Sequence, residues 1–292
     1  MKNLIIVTGG AGFVGSNLIR LLLKKTNKRI ISFDNYSSGT RKNHILDKRI
    51  IYLKGDTFEI EKKVFKYKNN IHSIFHFGEF ARIYQSFKKF DECYKSNSIG
   101  TNAVFKFCLE NKIKLIYSAT SATLGNKGND KNLSPYAFTK SKNLELLENL
   151  KRWFNFKYDV IYFYNVYGPG HIRKGSMATV IGIFEDKFKN KKPLPVVKPG
   201  SQTRRFTHIK DTVDVCYEAW KKNKCAHYSI SHKKSYSIRD VAKMFNCPIV
   251  YLKRRPGERY ASALTKISLN NKVFRRFGKI NLKDYISSFI KG

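Results

Sequence analysis

The stretch NLIIVTGGAGFVGSNLIRLLLKK, residues 3–25, leaves little freedom to the fold that follows it. A short apolar run turns through glycines and continues with Val14, Leu18, Leu21 and Leu22 at helical spacing. The pattern reads strand, glycine turn, helix. Gly9 permits the tight turn, Gly12 lets the backbone approach a pyrophosphate, and Gly15 lets the helix pack on the strand, with the first helical amides facing the phosphates.

The surrounding chain gives that turn its context. RIISFDNYS ends a second strand in Asp34, about 20 residues beyond the glycines, where a carboxylate grips the adenosine ribose hydroxyls. That favours NAD over NADP, although Arg41 and Lys42 follow closely and could hold a 2′-phosphate. IIYLKGD brings Asp56 to the same edge, and SIFHFG and KLIYSAT supply two more apolar runs. Helical patterns separate the runs, as in GTNAVFKFCLENK, where Ala103, Val104, Phe107 and Cys108 share a face. Alternating strands and helices predict an α/β, Rossmann-type, doubly wound parallel sheet, whose ligands bind beyond the carboxyl ends of the strands, where Gly12, Asp34, Asp56, Gly78 and Thr120 fall. The 292 residues suit an NAD-binding domain over 1–165, completed by part of 203–220, and a smaller C-terminal α/β substrate-binding domain over 166–292.

Further on, Ser134 is a natural N-cap and Pro135 suits the first helical position, so SPYAFTKSKNLELLENLKRWF predicts a helix beginning at Pro135. Tyr136 and Lys140 then share a face. Lowering a tyrosine pKa from ~10 to ~7 requires about 4 kcal/mol, the order of one unit charge at ~4 Å in an effective dielectric of ~20. Lys140, with a nearby oxidised nicotinamide and the helix N-terminus, is expected to supply it, making Tyr136 a general base.

Charge widens the field of partners before it narrows it. The 57 Lys and Arg against 21 Asp and Glu give +36, a field that attracts polyanions. The lysines are scattered, Arg is the minor cation, and neither zinc-ligand spacing nor an RNA-recognition signature accompanies them, so no nucleic-acid partner and no metal is expected. The excess suits capture of a small anionic substrate, or follows from a Lys-, Asn- and Ile-rich codon usage. Five cysteines without a C-x-x-C pair, no signal-peptide pattern, and no apolar run of ~18 residues point to a cytoplasmic chain without a membrane partner.

The motifs TGGAGFVGSN, FDNYSSGTR, FHFG, SNSIGTN, YSATSATLG, SPYAFTK, YFYNVYGPG, QTRRFTHIKD and RRPGER, in this order, resemble the extended short-chain dehydrogenases/reductases, specifically nucleotide-sugar epimerases related to UDP-glucose 4-epimerase. The resemblance covers nearly the whole chain. It implies Thr120, five residues before Gly125, as the third catalytic member, with Ser121 as the fallback. It also implies that Phe13, Val14, Asn35, Thr57, Phe77, Gly78, Asn97 and Tyr164 line the NAD site. Asn165, Arg204 and Arg255 match residues that hold the nucleotide diphosphate and sugar, with Arg205 and Arg254 as alternative registers. The implied reaction is NAD-dependent epimerisation of a nucleotide-diphosphate sugar through a keto intermediate, at C4 of a UDP-hexose, by a homodimer.

Departures from the family pattern matter as well. Related 4,6-dehydratases carry Asp-Glu directly after the catalytic Thr, and here Ser121-Ala122-Thr123 follows. Glu79 replaces a small residue after HFG, for no reason visible in the sequence. NVYGPGHIRKGSMATV resembles ADP-heptose 6-epimerases, in which the Lys matching Lys174 is a second base, so a two-base epimerase is the rival reading. Outside enzymes, an NAD-binding regulator or a basic nucleic-acid binder on the same fold is the alternative.

Overall fold

The computed structural model describes residues 2–124, 130–261 and 273–292, so Gly125 lies outside the described residues. β1 (Leu4–Thr8) turns into α1 (Phe13–Lys25), followed by β2 (Arg29–Asp34), β3 (Ile50–Lys54), the short α2 (Ile60–Val64) and β4 (Ile71–His76). α3 (Ile83–Lys88), α4 (Phe90–Tyr94) and α5 (Thr101–Glu110) lead to β5 (Lys114–Thr120), α6 (Pro135–Phe154) and β6 (Tyr158–Phe163). Then come β7 (Asn165–Tyr167), α7 (Val180–Lys189), β8 (Leu194–Val197), β9 (Thr203–His208), α8 (Ile209–Lys222) and β10 (His227–Ser231). β11 (Ser235–Ser237), α9 (Ile238–Lys243), β12 (Ile249–Leu252), β13 (Val273–Phe277) and α10 (Leu282–Lys291) complete the order.

Eight strands form one sheet in the order β13-β10-β6-β5-β4-β1-β2-β3, and every pairing in it is parallel. Helices cover both faces, which is why LIIVT of β1 is buried at all five positions instead of alternating. On one face Val104, Phe105 and Phe107 of α5 and Leu147 of α6 pack against Ile74, Leu115 and Tyr117. On the other, Leu18 and Leu22 of α1 meet Val213 and Cys216 of α8 over Val7, Phe75 and Ile161. A separate cluster around Tyr167, Phe184, Phe206, Phe245 and Ile286 fills the smaller unit.

The boundary at residue 165 needs correction. β10 pairs with the free edge of β6 and β13 covers β10 in turn, so the large sheet takes two strands from the 166–292 segment. The cause is the open edge that β6 would otherwise present, a row of unpaired backbone groups. Within 203–220, α8 packs onto the large sheet, whereas β9 pairs with β7 and β11 in a three-stranded sheet. The strand order reverses between β1 and β4, and their carboxyl ends open the crevice in which such sheets bind ligands.

Candidate active site

The glycine turn is built for close approach. Gly9 sits at φ +68°, and a Cβ there would lie 2.9 Å from the backbone of Phe77 and Gly78. A Cβ on Gly15 would run into the Gly9 carbonyl, so the first turn of α1 rests directly on the loop before it. Gly12 is the N-cap of α1 and offers no side chain to its free amides, with Phe13 and Val14 half-buried just beyond. Asp34 ends β2, buried, its carboxylate accepting from the amides of Ala11 (2.9 Å) and Tyr36 (2.7 Å). Burial raises its pKa and those amides oppose the rise. Each carboxylate oxygen keeps a lone pair for a ribose hydroxyl. Thr8 Oγ1 accepts from the amides of Phe77 (3.1 Å) and Gly78 (3.0 Å), which fixes the opposite wall of the crevice.

Other expected cofactor residues are used partly within the protein. Asn35 Nδ2 donates to Asp56 (2.6 Å), and Asp56 also caps the turn beginning at Thr57, itself buried. The Asn97 amide is taken up by Phe80, accepting from its N–H (2.7 Å) and donating to its carbonyl (3.0 Å). Its role in this geometry is to hold the 78–82 segment in place. The Phe77 ring meets Phe163 edge-on at 5.4 Å, and Tyr164 is buried at the end of β6.

α6 begins where the sequence placed it. Ser134 Oγ accepts from the Ala137 amide (3.1 Å), and Pro135 opens α6. Tyr136 and Lys140 are both buried, and Thr120, the last residue of β5, hydrogen-bonds the Tyr136 phenol. The phenol is nevertheless pushed up to about 12, by burial first and then by the charge of Glu79, against the pull of Thr120 and Arg82. The expected lowering by Lys140 is therefore corrected. Its ammonium pairs with Glu79, donates to the Ser118 carbonyl (2.5 Å) and lies 4.7 Å from the centre of the Tyr117 ring. A carboxylate has already cancelled the charge that was to act on Tyr136.

On the substrate side, Arg204 is buried, donating to the carbonyls of Thr203 (2.8 Å) and Arg259 (2.6 Å) and pairing with Glu258 at 2.6 Å. Arg255 lies half-buried over the Tyr84 ring at 4.8 Å. Asn165 Nδ2 donates to the Arg205 carbonyl (3.0 Å), and the Arg205 guanidinium closes on the carbonyls of His232 and Lys233, which removes it as an alternative register. Arg254 is exposed. Lys174, expected at the substrate, is corrected: its side chain is 79% exposed and reaches only toward Asp186, at 3.5 Å. The sequence reading passed over Arg259, the last residue of RRPGER. Only 4% exposed, it donates to the Ser121 carbonyl (2.5 Å), directly after Thr120, while its Nε has no partner among the described residues.

Residues 5–231 match the model of the NAD dependent epimerase/dehydratase family. The chain belongs to this family. Its fold is that of UDP-glucose 4-epimerase from Thermotoga maritima, solved with UDP-glucose, at 23% identity and TM-score 0.86, over 99% of this chain and 97% of that one. UDP-glucuronic acid 4-epimerase from Bacillus cereus is similar at 24% identity and TM-score 0.85, over 99% of both chains. So is the dTDP-glucose 4,6-dehydratase of Streptomyces venezuelae, at 18% identity and TM-score 0.86, over 99% of this chain and 96% of that one. Epimerases and a dehydratase thus share one backbone, and the choice between them rests on side chains.

For a member of the NAD-dependent epimerase/dehydratase family the cofactor is NAD, and the crevice fits it. The Gly9 to Gly15 loop leaves no room for a Cβ where a pyrophosphate approaches, the free amides of α1 follow Gly12, and Asp34 stands at the ribose position. Among the described residues no three His, Cys, Asp or Glu gather to hold a metal ion, and no helix is long and apolar enough to cross a membrane.

Proposed function

We propose that this epimerase/dehydratase inverts one carbon of a nucleotide-diphosphate sugar, with C4 of a UDP-hexose as the leading substrate, and returns every atom to the product. The observation that carries the reading is what surrounds Tyr136. Thr120 bonds its phenol, Lys140 lies one turn on, and Ser121-Ala122-Thr123 follow where an acid would be needed to expel water. NAD supplies the hydride acceptor and donor. Tyr136 takes the proton of the reacting hydroxyl with Thr120 sharing its path, and gives it back after the keto sugar has turned over. Lys140 holds the nicotinamide ribose side, and Arg204, Arg255 and Arg259 hold the diphosphate through charge-assisted hydrogen bonds.

One base is enough if the ring turns over, since both faces of the carbon then meet Tyr136. The outward position of Lys174 supports one base over the two-base alternative. The test is a survey of UDP-, ADP- and GDP-sugars for reversible epimer formation by the wild type and by Tyr136→Phe. The variant should keep NAD and substrate binding while turnover falls by at least ~10², the scale of a lost general base. Equal turnover would end the reading, and loss of water from the sugar would move the chain to the dehydratases.

A further inference from the structure

Glu79 is the residue that the family pattern leaves unexplained, and it is the most densely bonded carboxylate of the site. Its side chain is 2% exposed and that of Lys140 is 4% exposed, and the two form an ion pair. Thr101 Oγ1 donates to it at 3.0 Å and the Tyr117 hydroxyl at 3.1 Å, with Ser118 Oγ and Asn143 Nδ2 at 3.5 and 3.4 Å. Asn143 Nδ2 also bonds the Asn97 carbonyl (2.7 Å), and the Asn97 amide clamps Phe80, the next residue after Glu79. Donors from α5, β5 and α6 therefore converge on one carboxylate, and an adjacent clamp fixes its backbone. A buried charge pair survives only with such satisfaction, because either charge alone is strongly disfavoured by desolvation.

Resting on the reading of Tyr136 as the base, we propose that Glu79 is a positioning residue for it: the carboxylate fixes Lys140 Nζ and balances its charge. The other groups facing the phenol are Arg82 ahead of α3, Cys93 on α4, Tyr117 on β5 and Arg259 beyond β12. Of these only the two arginines are cations, and neither is paired with a carboxylate among the described residues. Among the described residues facing the phenol, Glu79 is thus the acid that cancels the charge of Lys140 and leaves only that of the two arginines. It acts twice, keeping Lys140 protonated against burial and opposing ionisation of Tyr136. The Ser118 carbonyl and the Tyr117 ring still face the ammonium when the carboxylate is removed, so the shift is expected with Lys140 charged, and loss of its proton would cancel it.

Tyr136 can be followed without turnover, by NMR of ring-labelled tyrosine, its signal being the one missing from Tyr136→Phe. Glu79→Gln, or Glu79→Ala where the amide variant does not fold, should lower its midpoint by about one pH unit, the effect of a unit charge at close range. At any pH below both midpoints this reads as roughly tenfold more ionised Tyr136. Glu79→Asp keeps the charge and should stay with the wild type. A charge-removing variant whose signal follows the wild type overturns the inference, and so does Glu79→Asp moving as far as the charge-removing variant. A chain that epimerises no sugar yet shows the shift keeps the electrostatic role and loses the reading of Tyr136. An active Glu79→Gln enzyme with an unmoved Tyr136 loses only the role of Glu79.

Discussion

At the scale of single residues, Arg259 shows how burial and charge expose a binding group. Its guanidinium is held down to about 10, by burial first and then by the neighbouring charge of Arg204. An anion bridging the two arginines would satisfy Arg259 Nε and relieve their repulsion. Arg259→Met should therefore weaken nucleotide-sugar binding by about 1.5–3 kcal/mol, the range for a lost charged hydrogen bond. Arg255→Met, half-exposed and stacked on Tyr84, should cost less. Calorimetric titration with the diphosphate nucleotide checks the order, and equal losses would place the anion between the two. The sequence made Tyr136, Lys140 and Ser134 legible because cap chemistry and helical spacing are local. It could not choose among the arginines of RRPGER, since the turn at Gly257, at φ +72° and 2.7 Å from Phe87 at its missing Cβ, decides which one faces inward. Glu79 was opaque for the same reason. Its partners come from three elements distant in sequence.

At the scale of elements, the strands that precede the site were readable from their apolar runs, and β2, β4 and β5 end at or beside the residues expected of them. β10 and β13 were not, because HYSIS and VFRRF gain their place only from the edge they cover. α5 shows a subtler difference. Val104, Phe107 and Cys108 are buried as expected, joined by Phe105, while Ala103 is only partly buried against the same core. Ala103 lines a groove with Phe105, Lys106, Leu109, Leu146 and Leu150, between α5 and α6 on the side away from the sheet. The expected homodimer has here an apolar surface on which a second copy could close. Two copies at +36 repel one another, and salt screens that repulsion over ~10 Å at 0.1 M. Sedimentation should thus show a dimer that tightens as salt rises and that Leu146→Glu converts to monomer. A monomer at every salt concentration, or a dimer indifferent to Leu146→Glu, would remove this face from the assembly.

At the scale of the whole molecule, two histidines buried in the large sheet tie its stability to pH. His76 in β4 is fully buried between Thr8 Oγ1 (2.8 Å) and Thr101 Oγ1 (3.0 Å), and His227 in β10 lies 3.2 Å from the Tyr162 hydroxyl. Burial above all holds both down to about 4, against an ordinary value of 6.5. Between those values the unfolded chain binds a proton that the folded chain refuses, so stability is full above pH ~6.5 and falls as pH drops toward 4. By pH 5 each histidine should have cost about 2 kcal/mol. Asp34 and Asp159, raised by burial, act in the opposite sense at the acidic end, taking up protons in the folded state first. A comparison of variants cancels their contribution. His227→Phe keeps a ring in a site where Nε2 has no partner among the described residues, on β10, two strands from β5 in the sheet. Its loss of unfolding free energy between pH 7 and pH 5, from urea titrations, should be smaller than that of the wild type by about 2 kcal/mol. If both proteins lose the same amount, His227 is protonated in the folded chain, and the sheet tolerates a buried charge that its packing should exclude.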